Sequence, residues 1–260
     1  MKLTVFASGS AGNCSLVKGG GASILLDAGI SARRILAALE QSALTPRDLD
    51  GIFITHEHAD HTKGLPILLK QLPVRVFAPG TVASHLRRTL PGAFSMLVHP
   101  IALEAPLPLR EMTVTPFPTP HDTPQSVGYR LEAEGACFAL ATDTGCVTDT
   151  MLRHLIGADA VMIEANHDTA MLKAGPYPLS LKRRILADTG HLSNAECTWL
   201  AAVLARRGTK TVILGHLSKE NNIPALALRT VCRGLEGTDT AVYLAPELGR
   251  LEVTIEPCFA

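Results

Sequence analysis

Aromatic residues are scarce in this sequence: one tryptophan, three tyrosines and seven phenylalanines among 260 residues. A surface that grips nucleic acid by stacking bases on rings needs more than that, so any such partner would be held through its backbone. An excess of either charge is missing too. Lysine plus arginine number 24 and aspartate plus glutamate 24, which excludes bulk electrostatic attraction to nucleic acid and leaves room only for a local basic groove. No apolar run approaches the length of a bilayer-spanning helix. The opening Met1-Lys2-Leu3-Thr4-Val5-Phe6-Ala7 reads as an edge strand running into Ser-Gly-Ser, without the apolar core and cleavage site of a signal peptide. A cytoplasmic location with no membrane partner is the expectation. Paired cysteine motifs are also lacking. Cys14, Cys137, Cys146, Cys197, Cys232 and Cys258 are scattered, with no CxxC and no secretory context, so they are expected to be reduced and most of them buried as small hydrophobes.

What the chain does have is an apolar fraction of 47%, enough for a substantial core in one domain spanning 1–260. Short runs of valine, isoleucine and leucine alternate with amphipathic stretches, punctuated by Gly, Pro, Asn and Asp. The pattern predicts strands at 3–7, 15–18, 23–27, 51–55, 112–117, 126–132, 136–141, 160–164 and 211–214, with two more closing the chain. Helices are expected at 32–41, 65–71, 82–89, 194–206 and 224–235. Ala133-Glu134-Gly135 signals a hairpin. Strands first, then strand and helix in alternation, repeated in two halves, predict two sheets packed together with helices outside.

The densest chemistry is His56-Glu57-His58-Ala59-Asp60-His61, directly after an apolar strand. A continued strand would send His61 away from His56 and His58, and a helix would send His56 away from the other two. A strand end turning into a helix start converges all four. Imidazole and carboxylate in that setting suit zinc, manganese or iron(II) with coordination positions left open. Four donors are too many for one catalytic ion and too few for two, so further donors are expected elsewhere. His121 after 112–117, Asp143 after 136–141 and His216 after 211–214 each lie just past an apolar strand, at one rim of the sheets.

Taken together these residues resemble the metallo-beta-lactamase superfamily nearly end to end. The resemblance implies an αββα four-layer sandwich of α+β class, with two mixed sheets face to face. It implies one ion on His56, His58 and His121, a second on Asp60, His61 and His216, and Asp143 bridging. Asp27, in Leu25-Leu26-Asp27-Ala28-Gly29, would support the site without binding metal. Phe6-Ala7-Ser8-Gly9-Ser10-Ala11-Gly12-Asn13-Cys14, Glu164-Ala165-Asn166-His167-Asp168, Gly190-His191-Leu192-Ser193 and Gly215-His216-Leu217-Ser218-Lys219-Glu220-Asn221-Asn222 are most similar to the YycJ/WalJ group of exonucleases within it. DNA cleavage is what that resemblance implies. Asp143 in the bridging position is unlike true beta-lactamases, and the segment from Asp143 to His216 has no room for the inserted domain of the beta-CASP nucleases.

Two ions held this way would share a hydroxide and clamp a phosphate oxygen for in-line attack, with Asp60 orienting the nucleophile. His191 precedes a helix that Ser193 and Glu196 open as a capping box, where free N–H groups favour an anion; it is the candidate for phosphate binding or leaving-group protonation. Glu164 and His167 are candidate supporting residues at another strand end. Ser8 and Asn13 sit in a polar turn that either contacts phosphate or simply joins two strands. Lys182-Arg183-Arg184 could flank the site, while Arg87-Arg88 and Arg206-Arg207 read as helix ends. The competing function is a small-molecule hydrolase, a lactonase or thioesterase, on the same two-ion site, because fold does not fix substrate.

Overall fold

Fourteen strands in the computed structural model, which describes residues 1–71 and 73–257, sort into two sheets by position along the chain, with one exception. The first sheet takes β1 (Lys2–Ala7), β2 (Cys14–Gly19), β3 (Ala22–Leu26), β4 (Gly51–Phe53), β5 (Val76–Pro79) and β6 (Val98–Ile101). The second takes β7 (Leu107–Leu109), β8 (Met112–Pro118), β9 (Val127–Ala133), β10 (Ala136–Ala141), β11 (Ala160–Glu164), β12 (Thr211–Gly215) and β13 (Ala241–Leu244). The exception is β14 (Leu251–Thr254), which crosses back to pair antiparallel with β1, Leu3 opposite Val253. The orders are β14-β1-β2-β3-β4-β5-β6 and β13-β12-β11-β10-β9-β8-β7. Both sheets are mixed. Antiparallel pairing runs from β14 to β3 and from β7 to β10, and parallel pairing takes over beyond.

The pairing of β14 corrects one expectation. Residues 1–7 do not form an edge, because a strand from the far end of the sequence covers them. Strands β5 to β7 were also outside the sequence pattern.

Helices α1 (Ala32–Gln41), α2 (Ala59–Thr62), α3 (Leu65–Gln71), α4 (Gly80–Thr89) and α5 (Gly92–Ser95) belong to the first half. To the second belong α6 (Asp149–Leu155), α7 (Thr169–Ala174), α8 (Leu179–Ile185), α9 (Asn194–Ala205) and α10 (Pro224–Gly234). One apolar cluster lies between the sheets, joining Leu3, Val5 and Ile24 to Val114, Phe138 and Met162. A second seats α1, α3 and α4 on the first sheet through Ile35, Leu68 and Val82, and a third seats α6, α9 and α10 on the second through Met151, Leu200 and Val231. Four layers result. The strand end that carries the densest histidine motif is pinned across the middle: Tyr129 Oη on β9 donates to Ile54 O at 2.6 Å, and the Val127 N–H donates to Thr55 O at 3.2 Å. The Ala133-Glu134-Gly135 hairpin forms as expected, with φ of 56° and 74° at Glu134 and Gly135.

Cys14, Cys137 and Cys197 are buried, Cys146 is half-buried and Cys232 is exposed, all as free thiols; Cys258 lies outside the described residues. No helix among the described residues is long and apolar enough to cross a membrane.

Candidate metal centre

The site is assembled from strand ends. Asp27 follows β3, His56 follows β4, His121 follows β8, Asp143 follows β10 and His216 follows β12, and the short α2 adds Asp60 and His61. Three of these turn sharply. Asp27, Asp143 and His216 have φ of 60°, 55° and 53°, a left-handed conformation that costs an L residue about 1–3 kcal/mol and persists only where the surroundings enforce it. The turn redirects a side chain that would otherwise continue the strand's alternation.

Six imidazoles gather there, with neighbouring ring centroids between 4.0 Å for His56–His61 and 6.2 Å for His61–His216. His121 lies 5.0 Å from His56 and 5.2 Å from both His58 and His191. The donor atoms of His56, His58 and His121 fall within 4.8 Å of one another, as do those of Asp60, His61, Asp143 and His216. Asp143 sits between the two groups, Oδ1 at 3.4 Å from His216 Nε2 and 3.9 Å from His121 Nε2, and Oδ2 at 3.4 Å from His61 Nε2.

The opposite ring nitrogens are held from behind. Asp27 Oδ2 meets His61 Nδ1 at 2.8 Å, and Asp27 Oδ1 accepts from the Thr55 N–H at 2.8 Å. The Thr55 hydroxyl also touches His56 Nδ1 at 3.0 Å and His61 Nδ1 at 3.1 Å. Glu164 Oε1 meets His216 Nδ1 at 2.9 Å and His191 Nδ1 at 2.6 Å, while its Oε2 accepts from the Thr144 N–H at 3.0 Å. His121 Nδ1 faces Gly190 O at 3.3 Å. Holding one ring nitrogen fixes the tautomer and leaves Nε2 as the donor.

Electrostatics divide the cluster. Burial alone would lower the pKa of His61, but the carboxylates of Asp27 and Asp143 and hydrogen bonds to Asp27 and Asp60 hold it well above the ordinary value. His216 behaves likewise, with Asp143, Asp60 and Glu164 outweighing burial. His56 goes the other way: burial first, then the neighbouring His61, His121 and His58, push it well down. Burial would raise Glu164, yet His191 and His216 bring it below the carboxylate range. Half the site therefore attracts positive charge strongly, while in the other half burial pushes His56 and His121 toward the neutral form.

These residues fit two divalent cations. His56 Nε2, Asp143 Oδ2 and His216 Nε2 are buried and make no hydrogen bond, and a buried polar atom left so costs about 1–3 kcal/mol. A cation bound among them would offset that cost. Nitrogen and oxygen donors without thiolate match a catalytic two-ion centre.

Residues 22–217 match the model of a family described as the beta-lactamase superfamily domain. The chain belongs to that family. It is 36% identical over 243 residues to exodeoxyribonuclease WalJ of Streptococcus pneumoniae, covering 93% of this chain and 90% of that protein. It is 35% identical over 239 residues to exodeoxyribonuclease YycJ of Bacillus anthracis, covering 91% and 89%. The crystal structure of the metallo-beta-lactamase fold protein YhfI from Bacillus subtilis superposes with a TM-score of 0.73 over 97% of this chain and 99% of that one, at 17% identity, a likeness of fold. The paired sheets with outer helices are thus the metallo-beta-lactamase fold, as the sequence motifs implied.

Around this superfamily site the remaining candidates take distinct places. Asn13 Nδ2 lies 3.0 Å from His61 Nε2 and 3.4 Å from Asp60 Oδ2. Ser8 is buried, and its Oγ accepts from the His216 N–H at 2.9 Å, which fixes the turn at His216. His167 is buried with neither ring nitrogen hydrogen-bonded, and its carbonyl accepts from the Asn194 N–H. The capping box of Ser193 and Glu196 forms. Sequence reasoning missed Thr55, which touches three site residues, and Asp122, whose Oδ1 stands 3.4 Å from His121 Nε2. For Asp122 the only signal was its place directly after His121.

Proposed function

We propose that this chain is a metal-dependent phosphodiesterase acting in the cytoplasm on nucleic acid, specifically a DNA exonuclease, with two divalent ions of zinc, manganese or iron as cofactors. The observation that carries the reading is the double use of Glu164: one buried carboxylate oxygen meets both His216, clustered with Asp60, His61 and Asp143, and His191, which joins only the neighbouring cluster of Asp143, Glu164 and His216. A proton donor tied to the ligand shell by a shared carboxylate is what cleavage of a phosphodiester with a poor leaving group needs. DNA as the substrate is supported by the two near-full-length relatives, both exodeoxyribonucleases.

His56, His58 and His121 would hold one ion, Asp60, His61 and His216 the other, and Asp143 both. Bound there, the ions would polarise the phosphate and lower the pKa of the attacking water. Asp60, more exposed than Asp27, Asp143 or Glu164, would orient that water. Asp27 and Glu164 keep His61 and His216 in the tautomer that presents Nε2. His191, fixed through Nδ1, has Nε2 available to protonate the leaving oxygen. The buried Asn13 amide, beside Gly9 O, Asp60 and His61 Nε2, ties the turn after β1 to the ligand loop, Ser8 holds the His216 turn, and His167 packs behind the same rim.

One observation favours a small-molecule hydrolase, a lactonase or thioesterase: the cavity of about 200 Å³ beside His191 and His216 has Tyr177, Leu181 and Ile185 in its wall. End-labelled single- and double-stranded DNA, RNA and an acyl-lactone panel, offered to protein loaded with each metal, decide between the two. The expected result is stepwise release of nucleotides from DNA ends, lost in Asp60→Ala and His61→Ala variants that keep their circular dichroism. Lactone turnover without phosphodiester cleavage, or cleavage that survives both substitutions, would overturn the proposal.

A further inference from the structure

Of the basic run on α8, Lys182 is spent locally: its Nζ donates to the carbonyls of Lys173 and Gly175, both at 2.7 Å, tying α8 to the end of α7. Arg184 reaches the rim instead, where its Nε donates to Asp122 Oδ2. The backbone beneath Arg184 is locked. A Cβ on Gly190 would lie 2.4 Å from Arg184 O and 2.2 Å from Ile185 O, and the His191 N–H donates to Ile185 O at 3.0 Å. Position 184 is therefore held in register with His191, while its side chain remains 62% exposed.

Asp122 is the more enclosed partner. Its Oδ1 is buried without a hydrogen bond, 3.4 Å from His121 Nε2 and 3.9 Å from His58 Nε2. Asp122 and Arg184 face the same cavity of about 200 Å³ as Tyr177, His191, His216 and Ser218. A guanidinium on a fixed base, at the mouth of the site, is thus occupied by a carboxylate of the protein itself.

We propose that Arg184 is a positioning residue that holds a phosphate next to the one being cleaved, and that Asp122 stands in for that phosphate until substrate arrives. This deepens the phosphodiesterase reading and rests on it. Asp122 gives the guanidinium a single oxygen, Oδ2, where a phosphate presents two to the fork. A pair as exposed on the arginine side as this one adds little stability, so an incoming phosphate displaces Asp122 readily. A substrate with phosphates on both sides of the reacting bond is then preferred over a lone phosphodiester, which a general lactonase or thioesterase pocket would not require.

The two partners have opposite expected effects. Arg184→Ala raises the KM of the zinc-loaded protein for a labelled oligonucleotide about tenfold, the loss of one charge-assisted contact. It also lowers the slope of log KM against log salt by about 1. Arg184→Lys keeps the salt slope and recovers part of the affinity. Asp122→Asn frees the guanidinium and lowers KM. Fluorescence anisotropy of the same oligonucleotide on metal-stripped protein reads the same ordering without turnover. A salt bridge serving only stability would weaken binding in both variants and lower both melting temperatures. Shifts in the same direction for Arg184→Ala and Asp122→Asn, or an unchanged salt slope in Arg184→Ala, overturn the inference. If the parent cleaves DNA and Arg184→Ala matches its KM, only this inference fails. If the parent neither binds nor cleaves the oligonucleotide, the phosphodiesterase reading fails with it.

Discussion

Asp27 shows how much a single buried carboxylate can govern. It accepts from Thr55 on one oxygen and meets His61 Nδ1 on the other, so an asparagine there would keep the shape while turning a donor toward His61. The imidazole would then carry its proton on Nε2, the atom needed for a cation. Asp27→Asn is expected to lower metal affinity about 10–100-fold, the usual cost of losing such a partner. Competition with a chelator measures it, and unchanged affinity would remove Asp27 from the site. Away from the metals, burial pushes the Cys137 thiol up from 9.0 to about 12. A thiol whose folded pKa is raised leaves stability intact below 9.0; between 9.0 and about 12 the unfolded chain ionises alone, and stability falls. Urea unfolding across that window should show a slope shallower by up to about 1.4 kcal/mol per pH unit in Cys137→Ala. Identical slopes would contradict the burial argument.

Loops, more than helices or strands, hold the donors in register. The turn after β1, the turn after β3 and α2 meet backbone to backbone: the Asn13 N–H donates to Asp60 O at 2.7 Å and the Gly29 N–H to Asn13 O at 2.8 Å. A Cβ on Gly29 would fall 1.6 Å from Asp60 O and 2.7 Å from Asn13 N, so no side chain fits without separating the three segments. Gly29→Ala should cost about 2–4 kcal/mol in urea unfolding, as an overpacked site does, and should reduce the metal content of the folded fraction. Full occupancy at full stability would show that the loops yield. Elements with strong periodicity were legible from sequence: α1 spans the residues its amphipathic pattern marked, and α9 and α10 differ from theirs by one residue at the end. Strands β5 and β6 were not, because four-residue parallel strands ending near proline carry no alternation of their own. The histidine motif was legible because its donors crowd one strand end. Thr55 and Asp122 were not, because a threonine and an aspartate beside ligand histidines carry no signal of their own until the folded loops bring Asp27 and Arg184 to them; Arg184 was marked only as part of the Lys182-Arg183-Arg184 run that could flank the site.

At the scale of the molecule, the sequence pattern foretold two layers of strand between two of helix, and what it could not tell was which strand neighbours which. Pairing between β1 and β14 is the clearest case, since no local signal links residues at opposite ends of a chain. A variant ending before Leu251 would bare one side of β1, and an unpaired apolar strand invites another copy. Light scattering and size exclusion should show that variant forming larger species than the full chain does, and a truncated protein of the same size distribution as the full chain would refute this. The same pairing sets a timetable for biosynthesis. A ribosome releases β1 well before its neighbour β14, a gap on the order of tens of seconds at ordinary translation rates. For that interval the nascent chain carries half of an unfinished seam, which makes β1 the segment a chaperone would be expected to shield.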